Sequence, residues 1–232
     1  MKQFLYLLLL LPAMIWSQSN FDKAEKLFKE GKYSQAEEVF LSCLKNNPND
    51  LKAIEYLGDI AGQNKDWDKA ISYYKKLKVS KPSEANYFYK YGGALGMKAK
   101  EANKFRALGM IDEVKSSFEK AIALNPKHID SRWALIELYI QLPGIVGGSE
   151  SKAIKYSNEL LRLSPVDGYL SRGHIEEYFK RYKNAEVQYK KAIQVGGSKT
   201  SYQKLASLYK NKMREPEKAK TILETYSSKQ QD

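Results

Sequence analysis

Ala36 and Ala70 stand 34 residues apart, and so do Phe40 and Tyr74, Cys43 and Leu77, and Pro48 and Pro82. Ala185 and Ala219 repeat the interval near the end of the chain. Recurrence at this period means that one short supersecondary unit is used several times, which restricts the fold more than composition does. Within each block the small residue, the aromatic or apolar residue four positions on and the apolar residue three beyond it share one helical stripe. Pro48, Pro82, Pro126 and Pro165 each follow such a stripe and cannot continue its helix. Small residues at Ala36, Gly58, Ala70, Gly92 and Ala185 let paired helices approach closely, while larger neighbours fill the space between pairs. One pair of helices has too little core to stand alone, so the units must stack. The abundance of Ala, Leu, Lys, Glu and Tyr, with only 7 prolines and 14 glycines, favours helices over a sandwich or barrel.

The order is a small residue within a first helix, an aromatic at the turn, alanine, aromatic and alanine along a second helix, and a closing proline. In this the chain resembles the tetratricopeptide-repeat (TPR) family. The first unit, residues 18–50, has Ala24, Gly31, Tyr33, Ala36, Phe40, Cys43 and Pro48. The second, 51–84, has Leu57, Gly58, Trp67, Ala70, Tyr74, Leu77 and Pro82. The third, 85–128, begins with Tyr91, Gly92 and Leu95 and resumes at Gly109, Phe118, Ala121 and Pro126 after about ten added residues. The fourth, 129–165, has Leu135, Tyr139, Ala153, Leu160 and Pro165, with a longer turn between Pro143 and Ser151. The fifth, 166–198, has Gly173, Tyr182, Ala185, Tyr189 and Ala192 and closes on Gly197. The sixth, 199–226, is degenerate, with Leu205, Ala206, Tyr209, Ala219, Leu223 and Tyr226. The resemblance implies an all-α, right-handed superhelical solenoid of about six helix-turn-helix units, the third and fourth extended, with 227–232 left as a polar tail.

Two irregular stretches carry expectations of their own. Ala99, Ala102, Phe105 and Leu108 recur at helical spacing, which predicts longer helices in the third unit rather than an irregular loop. Leu142 to Ser149 holds Pro143, Gly144, Gly147 and Gly148 around Ile145 and Val146, which predicts a compact loop. One reading has Ile145 and Val146 plug the gap between helices; the other makes the segment a ligand-facing loop, and the block resembles one found in exported bacterial TPR proteins. Nucleotide binding is disfavoured, because no Lys-Ser/Thr follows the double glycine in Walker spacing and no strand precedes it.

The first residues bear on compartment. Lys2 precedes the apolar run Phe4 to Trp16, and polar residues from Ser17 follow, the pattern of a secretory signal peptide over residues 1–17. The run is shorter than the roughly 20 residues of a membrane span and Pro12 interrupts it. Cleavage is expected after Ser17, with Ser19 as the alternative. No cysteine lies near the cut, which argues against a lipid anchor. The expected location is therefore periplasmic or extracellular. The single cysteine, Cys43, excludes a disulfide framework, so stability must come from packing.

Chemistry is not visible in the residues. His128 and His174 fall in different units, and one cysteine with two histidines does not make a zinc ligand set. Cys43 stands where the repeat wants a small core residue. No catalytic residue, metal or cofactor is expected, and the chain reads as a non-catalytic binding scaffold.

The formal charge of +12 becomes +11 when Lys2 leaves with the signal peptide. Much of the lysine falls on second helices and turns: Lys75, Lys76, Lys78, Lys190, Lys191, Lys210 and Lys212. The resemblance implies that second helices form the outer face and first helices line a groove. The groove positions are Tyr56, Tyr89, Trp133, His174 and Tyr178, interleaved with Asp22, Glu25, Glu55, Asp59, Glu137 and Glu177. An aromatic row with carboxylates suits an extended peptide or a helix carrying Lys or Arg, although in such repeats these tyrosines also pack between helices. At the positions where some relatives clamp a C-terminal carboxylate this chain has Phe21, Glu25, Glu55, Asp59, Tyr89 and Gly93, so that clamp is not expected. The basic exterior suits peripheral contact with anionic surfaces, and nucleic acid is disfavoured by the export signal and the lack of a recognition motif. The favoured function is protein–protein interaction in the bacterial envelope. The alternative is a carbohydrate or small-ligand binder whose aromatic row stacks on sugar rings.

Overall fold

Helix starts are set by short polar side chains that accept the otherwise unpaired first N–H groups. Asp50 accepts from Lys52 and Ala53, Asp66 from Lys69, Ser149 from Lys152, Ser164 from Asp167 and Ser198 from Ser201. His128 does the same through Nδ1, 3.2 Å from the Ser131 nitrogen. The computed structural model describes residues 20–229, and every regular element among them is helical. The expected signal peptide and residues 230–232 of the expected tail lie outside the described residues.

The order is α1 (20–29), α2 (Tyr33–Asn46), α3 (Leu51–Gln63), α4 (Trp67–Ser80), α5 (Ala85–Glu101), α6 (Lys104–Leu124) and α7 (Ile129–Gln141). A 3₁₀ turn at Gly144–Val146 precedes α8 (Glu150–Leu163), α9 (Pro165–Tyr178) and α10 (Tyr182–Gly196). Then α11 (Lys199–Leu208) continues through a π turn at Tyr209–Met213 before α12 (Pro216–Ser228), which ends two residues into the expected tail. Odd-numbered helices are the first, and even-numbered helices the second, of each pair.

The turn inside a pair repeats as faithfully as the helices do. Gly31 and Lys65, 34 residues apart, both have left-handed φ, and so do Lys180 and Arg214, also 34 apart. In three of these turns the next N–H reaches back five residues: Lys32 to Leu27, Asp66 to Ala61 and Arg181 to Glu176. This closure satisfies the last helical carbonyls and needs a left-handed residue at its corner. Lysine or arginine there costs about 1 kcal/mol relative to glycine.

The chain packs as two units, residues up to Leu124 and residues from Asn125. In the first, each of α2 to α6 contacts its sequence neighbour. Ala24, Ala36, Phe40, Cys43, Ala53, Leu57 and Ile60 share one buried cluster. In the second, α7 to α12 contact in the same sequential way, and Leu170, Ala185, Tyr189, Ala192, Leu205 and Ala219 are buried together. Both units use one packing device. A Cβ on Gly58 would lie 2.5 Å from Cε1 of Tyr74, and one on Gly173 would lie 2.4 Å from Cε1 of Tyr189. The glycine lets the tyrosine ring lie directly on the first helix, and a carboxylate on that helix then accepts the hydroxyl. Tyr74 donates to Asp59 at 2.7 Å and Tyr189 to Glu177 at 2.8 Å. Burial first, then the facing carboxylate, pushes both phenols far above their ordinary range.

The third pair is longer than the second: α5 and α6 have 17 and 21 residues, against 13 and 14 in α3 and α4. Of the four apolar residues spaced through the insertion, Ala99 is buried, whereas Phe105 is 88 % and Leu108 47 % exposed. The Pro143–Ser149 loop corrects one reading of the sequence. The correction falls on Ile145, which is 95 % exposed and plugs no gap; Val146 beside it is half-buried. The loop is held from within: Gly147 is left-handed, and a Cβ on Gly148 would fall 1.8 Å from the Leu142 carbonyl oxygen. The Ser149 N–H then bonds the Tyr139 carbonyl at 2.9 Å, directly before α8.

Candidate functional site

In the first unit the face built by α1, α3 and α5 holds three of the expected carboxylates, two of them paired with one lysine and the third with Tyr56. Glu55 and Asp59 lie one turn apart on α3, because residues four apart share a helix face. Lys90 of α5 sets its ammonium 2.7 Å from an oxygen of Glu55 and 2.7 Å from Asp59. Asp59 also accepts from Tyr74. Tyr56 spends its ring on packing, stacked on Phe40 at 4.7 Å and edge-on to Phe28 at 5.1 Å, and donates its hydroxyl to Glu25 at 2.9 Å. Burial first, then Glu25, Asp59 and Glu55, push the Tyr56 phenol up to about 12. Tyr89, on the same helix as Lys90, turns its ring toward Phe118, 6.0 Å between centroids.

In the second unit α7 and α9 bring together three of the five expected residues, Trp133, Glu137 and His174, while Glu177 accepts from Tyr189. Trp133 and Glu137 are one turn apart on α7, and His174 and Tyr178 one turn apart on α9. Trp133 Nε1 donates to Asp167 at 2.9 Å, and His174 Nε2 lies 2.7 Å from Glu137. The Trp133 and His174 rings are 6.4 Å apart. These bonds cross between helices and fix the rings, so the surface is preorganised. Tyr178 lies one turn beyond, 45 % exposed, edge-on to Phe179, which carries the Arg181 guanidinium 5.0 Å from its ring centre.

Sequence reasoning missed Lys90, Asn86 and Asp167, and the missing signal is a spacing. Tyr56 to Glu25, Asn86 to Glu55 and Lys90 to Asp59 each span 31 residues. Trp133 to Asp167 spans 34 and His174 to Glu137 spans 37. All are the repeat length shifted by nothing or by three residues, one short helical turn. Among the described residues no three His, Cys, Asp or Glu side chains gather as a metal site would require.

Residues 17–85 match the family model for the tetratricopeptide repeat. The chain has the tetratricopeptide-repeat fold. Similar solved structures include TTC0263, a thermophilic TPR protein of Thermus thermophilus. It has a TM-score of 0.66 and 20% identity over 83% of this chain and 98% of that one. PilW, described as a widely conserved type IV pilus biogenesis factor, gives 0.65 and 17% over 91% and 92%. YrrB, described as a TPR protein with an unusual peptide-binding site, gives 0.52 and 15% over 78% and 87%. At these identities the likeness is one of fold. Comparison with curated proteins gives no match. TPR chains generally serve as non-catalytic scaffolds for protein–protein interaction.

Proposed function

We propose that this TPR chain is a non-catalytic scaffold of the bacterial envelope whose first-helix faces take a partner segment carrying Lys or Arg. The observation that carries the reading is Lys90. A lysine side chain already sits between Glu55 and Asp59, each 2.7 Å away, and Glu25 accepts from Tyr56 on the same face. A partner's lysine or arginine would meet the same kind of charge-assisted acceptors. Support for a peptide ligand comes from YrrB, and for an envelope role from PilW together with the expected signal peptide. The fixed Trp133 and exposed Tyr178 supply apolar contact in the second unit.

The test is a fluorescence-anisotropy titration of Lys/Arg-bearing peptides against charge-reversed controls, with a glycan array in parallel. Lys90→Met removes the internal occupant and is expected to tighten cationic-peptide binding about fivefold, one partly screened ion pair. Glu55→Gln with Asp59→Asn is expected to weaken it by at least as much. Equal binding of cationic and acidic peptides, or indifference to all three substitutions, sinks the assignment. Selective glycan retention lost in Trp133→Ala would favour the sugar reading instead.

A further inference from the structure

The tip of the α5–α6 hairpin has a chemistry unlike the first-helix faces. Lys98, near the end of α5, pairs with Asp68 on the first turn of α4. The residues beyond Lys98 therefore extend past the start of α4. There Phe105 and Leu108, three residues apart on α6, stand in solvent, and Met97 on α5 is also exposed. Between Met97 and Leu108 the chain carries Lys98, Lys100, Lys104 and Arg106 against Glu101 alone. Lys100, Lys104 and Arg106 are exposed. Asn103 caps α6 by accepting the Arg106 N–H at 3.0 Å, so the ring and the cations are shown on ordered backbone.

We infer that this tip is a peripheral membrane contact, in which Phe105 and Leu108 enter the headgroup–acyl boundary of an anionic bilayer while Lys100, Lys104 and Arg106 meet its phosphates. Two protruding apolar side chains and three cations are far less surface than the ~800 Å² per partner of a stable protein interface. A bilayer needs no matching pocket, and an apolar wedge beside a basic patch supplies the two signals that peripheral binding requires. The long stems of the cations lie along apolar surface while their heads reach the phosphates. No helix among the described residues is long and apolar enough to cross a membrane, and a two-residue wedge reaches only the interface. The inference does not rest on the peptide-binding reading, whose residues lie elsewhere.

The test uses the full chain with an environment-sensitive nitrobenzoxadiazole probe on Phe105→Cys; Cys43 is buried and leaves the new thiol as the reactive one. Because residues 4–16 are themselves apolar, the deciding readout is the probe's own environment. Its emission is expected to shift to the blue with vesicles of mixed phosphatidylglycerol and phosphatidylcholine, not with phosphatidylcholine alone, and to revert in high salt. In unlabelled chain, Phe105→Ser with Leu108→Ser should weaken vesicle binding at least tenfold, and Lys100→Glu with Lys104→Glu and Arg106→Glu about a hundredfold. Neither set touches a packed residue, so the circular dichroism should be unchanged. An unmoved probe overturns the inference, as does an equal shift on neutral vesicles. A blue shift that grows with protein concentration in the absence of lipid overturns it too, and assigns the tip to a second copy of the chain.

Discussion

Replacing Gly58 by alanine tests the packing device that both units share. The added Cβ would lie 2.5, 2.9 and 3.1 Å from Cε1, Cδ1 and Cζ of Tyr74. Carbon atoms in contact prefer about 3.5–4 Å, so the ring must retreat by roughly 1 Å. Tyr74 is buried and has little room to do so. Its hydroxyl is also bonded to Asp59 at 2.7 Å, and that retreat breaks the bond. Overpacking costs about 1–3 kcal/mol and a hydrogen bond to a charged group about 1.5–3. Alanine's better helix propensity returns about 1 kcal/mol. The net loss should be about 2–4 kcal/mol, read as a lowered midpoint in urea unfolding followed by helical ellipticity. Gly93→Ala is the matched control, because nothing lies within 4 Å of its added Cβ. It should gain up to about 1 kcal/mol from the same propensity. If Gly58→Ala matched the parent within about 0.5 kcal/mol, the size expected of a neutral surface change, the ring-on-glycine account would be refuted.

Two further outcomes follow from the second unit. Burial holds the His128 imidazole below its ordinary value of 6.5 against the upward pull of Asp130, and its cap needs an unprotonated Nδ1. Above 6.5 the contribution is complete; as pH falls below it the unfolded chain takes up a proton first, so stability falls toward the folded pKa. His128→Asn keeps a capping acceptor without the titration, and urea midpoints should diverge between parent and variant only on the acidic side of 6.5, by up to about 1 kcal/mol. Identical pH profiles would show that the cap is not what titrates. In the loop, Gly148→Ala should cost about 2–3 kcal/mol, since its Cβ meets backbone at Leu142, while Gly144→Ala, with nothing within 4 Å, should fall within about 0.5 kcal/mol of the parent in the same assay.

The buried alanines are legible in the sequence because their spacing is their function. Ala36, Ala70, Ala153 and Ala185 are all fully buried, as the repeat requires. Pro165 shows how one residue serves two elements, following α8 and opening α9 at its first turn. The candidate site is only half legible. Groove positions carried over from the resemblance find Tyr56 and Glu55 but not what each touches, and Tyr56 turns out to be held in an aromatic cluster. Lys90 escapes a reading that assigns lysine to second helices, although it stands one repeat after Tyr56 and reaches back the same 31 residues. Ile145 shows a different limit. In a loop of breakers the direction of a side chain is set by the left-handed Gly147 and the carbonyl bonds around it, and no periodicity reports that.

The lengthened third pair bears on how such a chain can be edited. From Gly58 to the Tyr74 it supports is 16 residues; from Gly92 to Phe118, whose ring it faces, is 26. Of the ten extra, α5 contributes four and α6 seven, while the turn gives up one. Four and seven are close to one and two whole turns of a helix with 3.6 residues per turn. Whole-turn growth leaves every older side chain on its original face, and the new surface emerges at the free end. A hairpin of this kind is a telescoping mount: a graft or deletion made in matched whole turns changes what the protein displays without changing what it buries.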